Sequence, residues 1–234
     1  RFQYLRNFQP HLPYGQFMSY NWQHPSMQAW ERLHLAGQLT GAPARFFAPR
    51  KAAEELYDVQ SDPWQIRNLA PDPAYAAELV RRRATLAAQM RAAGDLGLLP
   101  ERELHARSAG TTPYAIAPNA RLNPIDELLR AADLANQMAP RNAAALAGLL
   151  RAPDSAVRWW GAVGLLALRA EAAPAKSALL AALDDSSPDV RIAAAETLAH
   201  LGALDRALPA LEAALRVDDV FVRLAALNAA QRLG

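Results

Sequence analysis

Residues 2–8 alternate with a period of two: Phe2, Tyr4, Arg6 and Phe8 fall on one side, Gln3, Leu5 and Asn7 on the other. Alternation of this kind, rich in aromatics, predicts a strand. Pro10, Pro13 and Gly15 end it and open an irregular loop. After Pro25-Ser26 the period changes. Met27, Trp30 and Leu33 share one helical face, and Gly37 is a stop. Phe46-Phe47 and Glu54–Val59 read as two more short strands, so the first 70 residues are expected to hold four short antiparallel strands at most. Asp72-Pro73 opens a helix, because an Asp oxygen can accept a first-turn N–H and a proline at N1 has no N–H to leave unpaired. Tyr75, Leu79, Leu86 and Met90 continue at helical spacing as far as Gly94. Residues 94–122 show little periodicity and read as an extended connector laid over the surface.

From Asn123 onward the pattern is helical throughout, starting with the stripe Ile125, Leu128, Leu129 and Ala132. An internal repeat then emerges. Asp154-Ser-Ala-Val157-Arg158 is echoed by Ser187-Pro-Asp-Val190-Arg191 and by Asp219-Val-Phe-Val222-Arg223, in steps of 33 and 32 residues. Gly161, Ala194 and Ala226 match in turn, as do Leu168, Leu201 and Leu233, and each motif follows a shorter apolar helix. The physical content is simple. An Asp or Ser caps a helix start, a Val packs inward, and small residues in mid-helix allow close approach. One helix pair cannot bury its apolar face alone, so neighbouring pairs stack.

Composition adds a boundary: aromatics, His and Pro concentrate in residues 1–75, Ala and Leu after 123. With 25 basic and 23 acidic residues the formal charge is +2, too balanced for a nucleic-acid or anionic-membrane surface. Arg81–Arg82–Arg83 is the one dense basic run and reads as a solvated helix face. No run of 18 apolar residues offers a membrane span. The absence of cysteine excludes disulfides, zinc thiolates and a cysteine nucleophile within these residues. No Gly-rich phosphate loop or His-rich metal motif occurs, and Asp184-Asp185 and Asp218-Asp219 are helix-terminal acids rather than a calcium set. The chain opens on Arg1 directly into a strand, which predicts a preceding part of a larger protein.

Three segments carry a resemblance: RFQYLRNFQPHLPYGQ (1–16), EELYDVQSDPWQIRNLAPDPAY (54–75) and GDLGLLPERELHARSAGTTPY (94–114). Together they resemble the C-terminal end of a bacterial type I, formylglycine-dependent sulfatase of the arylsulfatase or N-sulfoglucosamine sulfohydrolase kind. Val59 stands in place of the usual Leu, and Gln65 where Glu is common. The Val-Arg motifs similarly resemble HEAT repeats, in which the arginine pairs with an acid of a neighbouring repeat. The implied fold is α+β: a small antiparallel sheet with packed helices over 1–93, the connector 94–122, and an all-α HEAT-like solenoid over 123–234.

The resemblance also implies a parent enzyme, periplasmic or secreted, that hydrolyses a sulfate ester or N-sulfate of a carbohydrate-like substrate. Its formylglycine and calcium would lie in an upstream catalytic domain of the same protein, leaving no catalytic residue, metal or cofactor in this chain. The loop His11–Ser26 is rich in aromatic and amide side chains suited to sugar stacking and hydroxyl recognition. Since such subdomains border the substrate pocket, His11, Tyr14, Gln16 and His24 are the candidate substrate-bordering residues. The same loop could instead pack against the catalytic domain. An alternative of another class is a HEAT-repeat interaction scaffold, binding a partner or a second copy, attached to an inactive sulfatase-like domain. Of the adjacent Trp159 and Trp160, one is expected to pack against the preceding connector.

Overall fold

The computed structural model describes residues 1–233 and divides them into two compact units, Arg1–Ala84 and the chain from Thr85 onward. In the first, β1 (Phe2–Arg6) runs antiparallel to β2 (Glu54–Asp58), with Tyr4 opposite Leu56. Two strands alone are marginal, and a side chain substitutes for a third. Asn68 Oδ1 accepts from Leu56 N (3.0 Å) and Ala70 N (2.9 Å), while its Nδ2 donates to Glu54 O (3.0 Å). The loop between the strands carries α1 (Ser19–Trp22), α2 (Pro25–Leu35) and α3 (Gly41–Arg45). Gly37 ends α2 at φ +67°, as its position in the sequence predicts.

Phe46-Phe47 is not a strand. The pair continues directly from α3, and its rings stack on α2: Phe46 on Trp30 and Phe47 on His34, each at 4.5 Å. Aromatic content predicted a strand, but aromatic–helix packing uses it. Among the described residues the sheet therefore has two strands, within the expected limit of four. The apolar core of this unit is small: Leu12, Leu56, Tyr57 and Leu69. Charged hydrogen bonds supplement it. Glu54 accepts from Tyr4 (2.6 Å) and from Arg83 (2.8 and 2.6 Å). Burial would raise the Glu54 carboxyl, but these two donors outweigh it and hold it below the usual range. Arg81 and Arg82 both pair with Glu78, so the basic run is spent in ion pairs.

Asp72 caps a single 3-10 turn at Pro73–Tyr75, and α4 (Ala76–Ala93) follows. Gly94 closes it at φ +59°, where a Cβ would lie 2.6 Å from Ala117 O. The segment 94–122 is not simply extended: it holds α5 (Glu101–Arg107) and α6 (Pro113–Ile116). Next come α7 (Ile125–Asn136), α8 (Ala143–Leu149), α9 (Ser155–Leu168), α10 (Lys176–Ala182), α11 (Pro188–His200), α12 (Leu204–Leu215) and α13 (Val220–Leu233). The longer helices α7, α9, α11 and α13 pack in sequence as one layer, with α8, α10 and α12 beside them. Gly164 lets α9 approach α7: a Cβ there would meet Ala135 Cα at 3.1 Å.

The repeat motif has one job in all three copies. Arg158, Arg191 and Arg223 each turn Nη1 back onto the carbonyl six residues earlier, at Ala152 (3.0 Å), Asp185 (2.6 Å) and Val217 (2.9 Å). Arg158 alone also reaches the acid of the next repeat, bridging Asp185 at 2.7 and 2.8 Å. The expected inter-repeat pairing thus holds for Arg158, while Arg223 meets Asp218 of its own repeat.

Helix α5 clasps the cap side of this ladder. Glu103 is buried and accepts from Ser155 Oγ (2.7 Å) and Ser187 Oγ (3.1 Å), the starts of α9 and α11. Arg107 bonds Asp154 and Ser155, Arg102 lies 3.3 Å from Asp219, and His105 stacks on Phe221 at 4.4 Å. One seven-residue helix therefore touches three successive repeat starts. Trp160 is buried and donates to Leu98 O (2.9 Å) ahead of α5, as expected for one of the tryptophan pair.

Candidate functional site

A cavity of about 520 Å³ opens in the first unit, lined by Tyr14, Arg45, Lys51, Glu55, Tyr57 and Trp64 among others. The pleat of β2 sends Glu55 and Tyr57 to one side of the strand. Glu55 is buried and collects three donors: Tyr14 Oη (2.6 Å), Asn7 Nδ2 (2.6 Å) and Tyr57 Oη. These bonds fill three of the roughly four acceptor sites of a carboxylate and fix the direction of both hydroxyls. Burial, then the bond to Glu55, pushes the Tyr14 and Tyr57 hydroxyls well above the ordinary phenol range, so both stay protonated. Each phenol spends its proton on Glu55 and keeps lone pairs that can accept from a ligand hydroxyl.

Three cations stand around these oxygens. Lys51 lies 5.7 Å over the Tyr14 ring, and burial lowers its pKa. Arg45 donates to Ile66 O, and both Arg45 and Arg50 line the cavity. At the rim, Trp64 is 83% exposed. An exposed indole next to hydroxyl acceptors and cations can stack on a sugar ring while holding an anionic substituent.

The sequence-derived candidates scatter. Tyr14 lines the cavity. His11 is buried, away from solvent. Gln16 is exposed, with its backbone N–H on Tyr14 O (3.1 Å). His24 is exposed at the start of α2 and meets Tyr20 edge-on at 5.2 Å. The structure brings Tyr14 together with Lys51, Glu55, Tyr57 and Trp64, all outside the sequence-derived set. Trp64 had a legible signal, a large aromatic directly after the Asp62-Pro63 turn. Glu55 and Tyr57 had none beyond strand alternation.

Among the described residues no group of three or more His, Asp or Glu is arranged to hold a metal ion. No helix among them is long and apolar enough to cross a membrane.

Two known groups of proteins are similar to this chain. The HEAT repeat family matches residues 142–231. An ulvan-active sulfatase from Formosa agariphila is 36% identical over 126 residues, which is 53% of this chain and 21% of the relative. The chain thus spans about a fifth of the length of the curated relative it matches. The helical region is a HEAT-repeat array following a small α+β segment. The likeness to a sulfatase covers more of the chain than the array alone could supply, since 126 residues exceed the 90 from 142 to 231.

Proposed function

We propose that this chain is the C-terminal portion of a sulfatase that hydrolyses a sulfate ester or an N-sulfate on a carbohydrate-like substrate. The portion is structural and borders the substrate; it does not itself catalyse. The observation that carries this reading is the 36% identity to a sulfatase over 126 residues. The cavity around Tyr14 supports it, because cations, shielded hydroxyls and an exposed indole match a sulfated sugar. Formylglycine and calcium then belong to an upstream catalytic domain, and the parent works in the periplasm or outside the cell. The apolar side chains left exposed at Phe17, Met18, Tyr20 and Leu35 suit contact with that domain.

The test uses the longer polypeptide. Lys51→Ala and Trp64→Ala should each lower kcat/KM on a sulfated oligosaccharide about tenfold, or about 1.4 kcal/mol. Turnover of a small aryl sulfate, too short to reach the cavity, should not change. Residues 1–234 alone should release no sulfate from either. Sulfate release by the isolated chain would overturn the non-catalytic reading. Unchanged oligosaccharide kinetics in both variants would overturn the substrate-bordering one.

A further inference from the structure

Helix α5 is anchored to the array by a charge. Of its seven residues, Glu103 is the one that is buried. Glu103 Oε2 accepts from Ser155 Oγ (2.7 Å) and Arg107 Nε (3.1 Å). Its Oε1 accepts from Ser187 Oγ (3.1 Å) and lies 3.6 Å from Arg102 Nη1. A helix this short does not persist in water by itself. These bonds and the His105–Phe221 stack therefore keep it in place.

A second carboxyl is buried beside the first. Asp189 follows Ser187 by two residues in the first turn of α11, and no donor reaches its Oδ2. The charged groups that face it are Glu103 and Arg102 from α5 and Asp219 from the turn ahead of α13. The nearby guanidiniums are committed elsewhere. Arg102 lies between Glu103 and Asp219, 3.3 Å from the latter, and Arg107 binds Glu103 and Asp154. On the same helix as Asp189, Arg191 turns back onto Asp185 O (2.6 Å). An ionised Asp189 would sit desolvated, with no donor on Oδ2, next to the carboxylate that anchors α5. Like charges in a buried site disfavour one another strongly, and the neutral acid removes that cost.

We propose that α5 is a proton-controlled clasp: it closes on the starts of α9, α11 and α13 while Asp189 is protonated and loosens when Asp189 ionises. The loosened state frees Ser155 and Ser187 and uncovers the entry edge of these helices, while the helix pairs behind it stay packed. The acidity of Asp189 agrees. Burial, then Glu103, raise its pKa to about 6. Once α5 has lifted, Asp189 regains water and returns towards the ordinary value of about 3.9. Closure is therefore strongest below about pH 4 and weakens as pH rises through about 6. Between pH 5 and pH 8 the open population grows about tenfold.

Hydrogen exchange of the 234-residue chain tests this. The reporters are the amides of Leu104 and Ser108, which donate to Pro100 O (2.9 Å) and Leu104 O (3.1 Å). Their protection factors, corrected for the intrinsic rate at each pH, should fall about tenfold from pH 5 to pH 8. Asp189→Asn, with a native far-ultraviolet dichroism spectrum, should keep them level. Urea well below the unfolding midpoint should leave α5 exchange unchanged, because a local opening exposes little surface. Exchange at the fully buried Leu198 of α11 should rise under the same urea. Equal protection at the two pH values overturns the proposal. So does a pH dependence that survives in Asp189→Asn, or α5 exchange that follows Leu198 in urea, which would mean that α5 opens with the whole array.

Discussion

The two compact units keep their folds by different means. Up to Ala84, a two-stranded sheet rests on a few buried apolar side chains, and hydrogen bonds among Tyr4, Glu54, Arg83, Glu55 and Asn68 supply the specificity. From Thr85 onward, alanines and leucines bury helix against helix, with Trp160, Leu165, Leu179 and Leu198 almost wholly enclosed. Apolar burial contributes about 25 cal/mol per Å², so the second region closes its own core and the first barely does. The poorer core also displays the exposed aromatics and the cation-lined cavity. The array, by contrast, encloses its interior helices α9 and α11 almost completely.

The sharpest way to break this contrast is to damage the array. Trp160→Ala removes its largest buried side chain and leaves Leu98 O without its donor. The expected loss is about 3–5 kcal/mol, read as a lower urea midpoint by far-ultraviolet dichroism. Amide exchange in β1 and β2 should not change. If strand protection falls together with the helices, the two regions fold as one and the comparison fails.

The next effect is pH-dependent and belongs to the array alone. Asp189, in the first turn of α11, is buried with Oδ2 unpaired. Burial, then the Glu103 carboxylate and more weakly Asp219, push its pKa up to about 6, against a weaker opposing pull from Arg102. The folded state therefore holds a proton that the unfolded chain has already lost between about pH 4 and 6. The resulting stability is fully present below about pH 4 and is lost as pH rises through about 6. The change should not exceed about 3 kcal/mol. Urea midpoints measured across pH 4.5–7.5 should fall in the native sequence and level out in Asp189→Asn. A native midpoint that rises over this range would show that Asp189 is ionised.

These groups also mark where the sequence ran out. The repeat was legible because Val157, Val190 and Val222 keep a fixed step, and helix physics needs nothing else. Helix α5 was not: seven residues give two turns, too few for a periodic signal, and its role rests on a Glu103–Ser187 contact spanning 84 positions. Its acidic first turn and basic last turn were the one available hint. In the first unit, Tyr14 was legible as an aromatic in an amide-rich loop. Its partners Glu55 and Tyr57 read as scaffold, because strand alternation says which residues share a face but not what they face.

Within the first unit, Glu55→Gln tests whether the polar network substitutes for core. The amide can satisfy only part of what three donors bring, so the expected cost is about 2 kcal/mol. Tyr14 and Tyr57 should titrate at lower pH by ultraviolet difference absorbance, only part of the way to the free phenol, because burial is the larger cause of their shift. Unchanged tyrosine titration would mean that the hydroxyls are held by something other than Glu55.

The smallest effect applies the same substitution to both regions. Asp72 and Asp154 each cap a helix start through Oδ1, at 3.0 Å to Ala74 N and 2.9 Å to Ala156 N. Removing a cap costs about 1 kcal/mol, within a range of about 0.5–2. Asp154 should lie at the upper end. It caps two N–H groups and also binds Arg107, whose guanidinium is mostly buried and would lose a partner. Asp72 should lie at the lower end: it caps one N–H of a short 3-10 turn and its side chain is about a third exposed, so water can replace it. If Asp72→Ala costs as much as Asp154→Ala, the first unit depends on its helix entry more than its open surface suggests. The contrast would then lie in core size alone and not in how tightly each region holds its polar contacts.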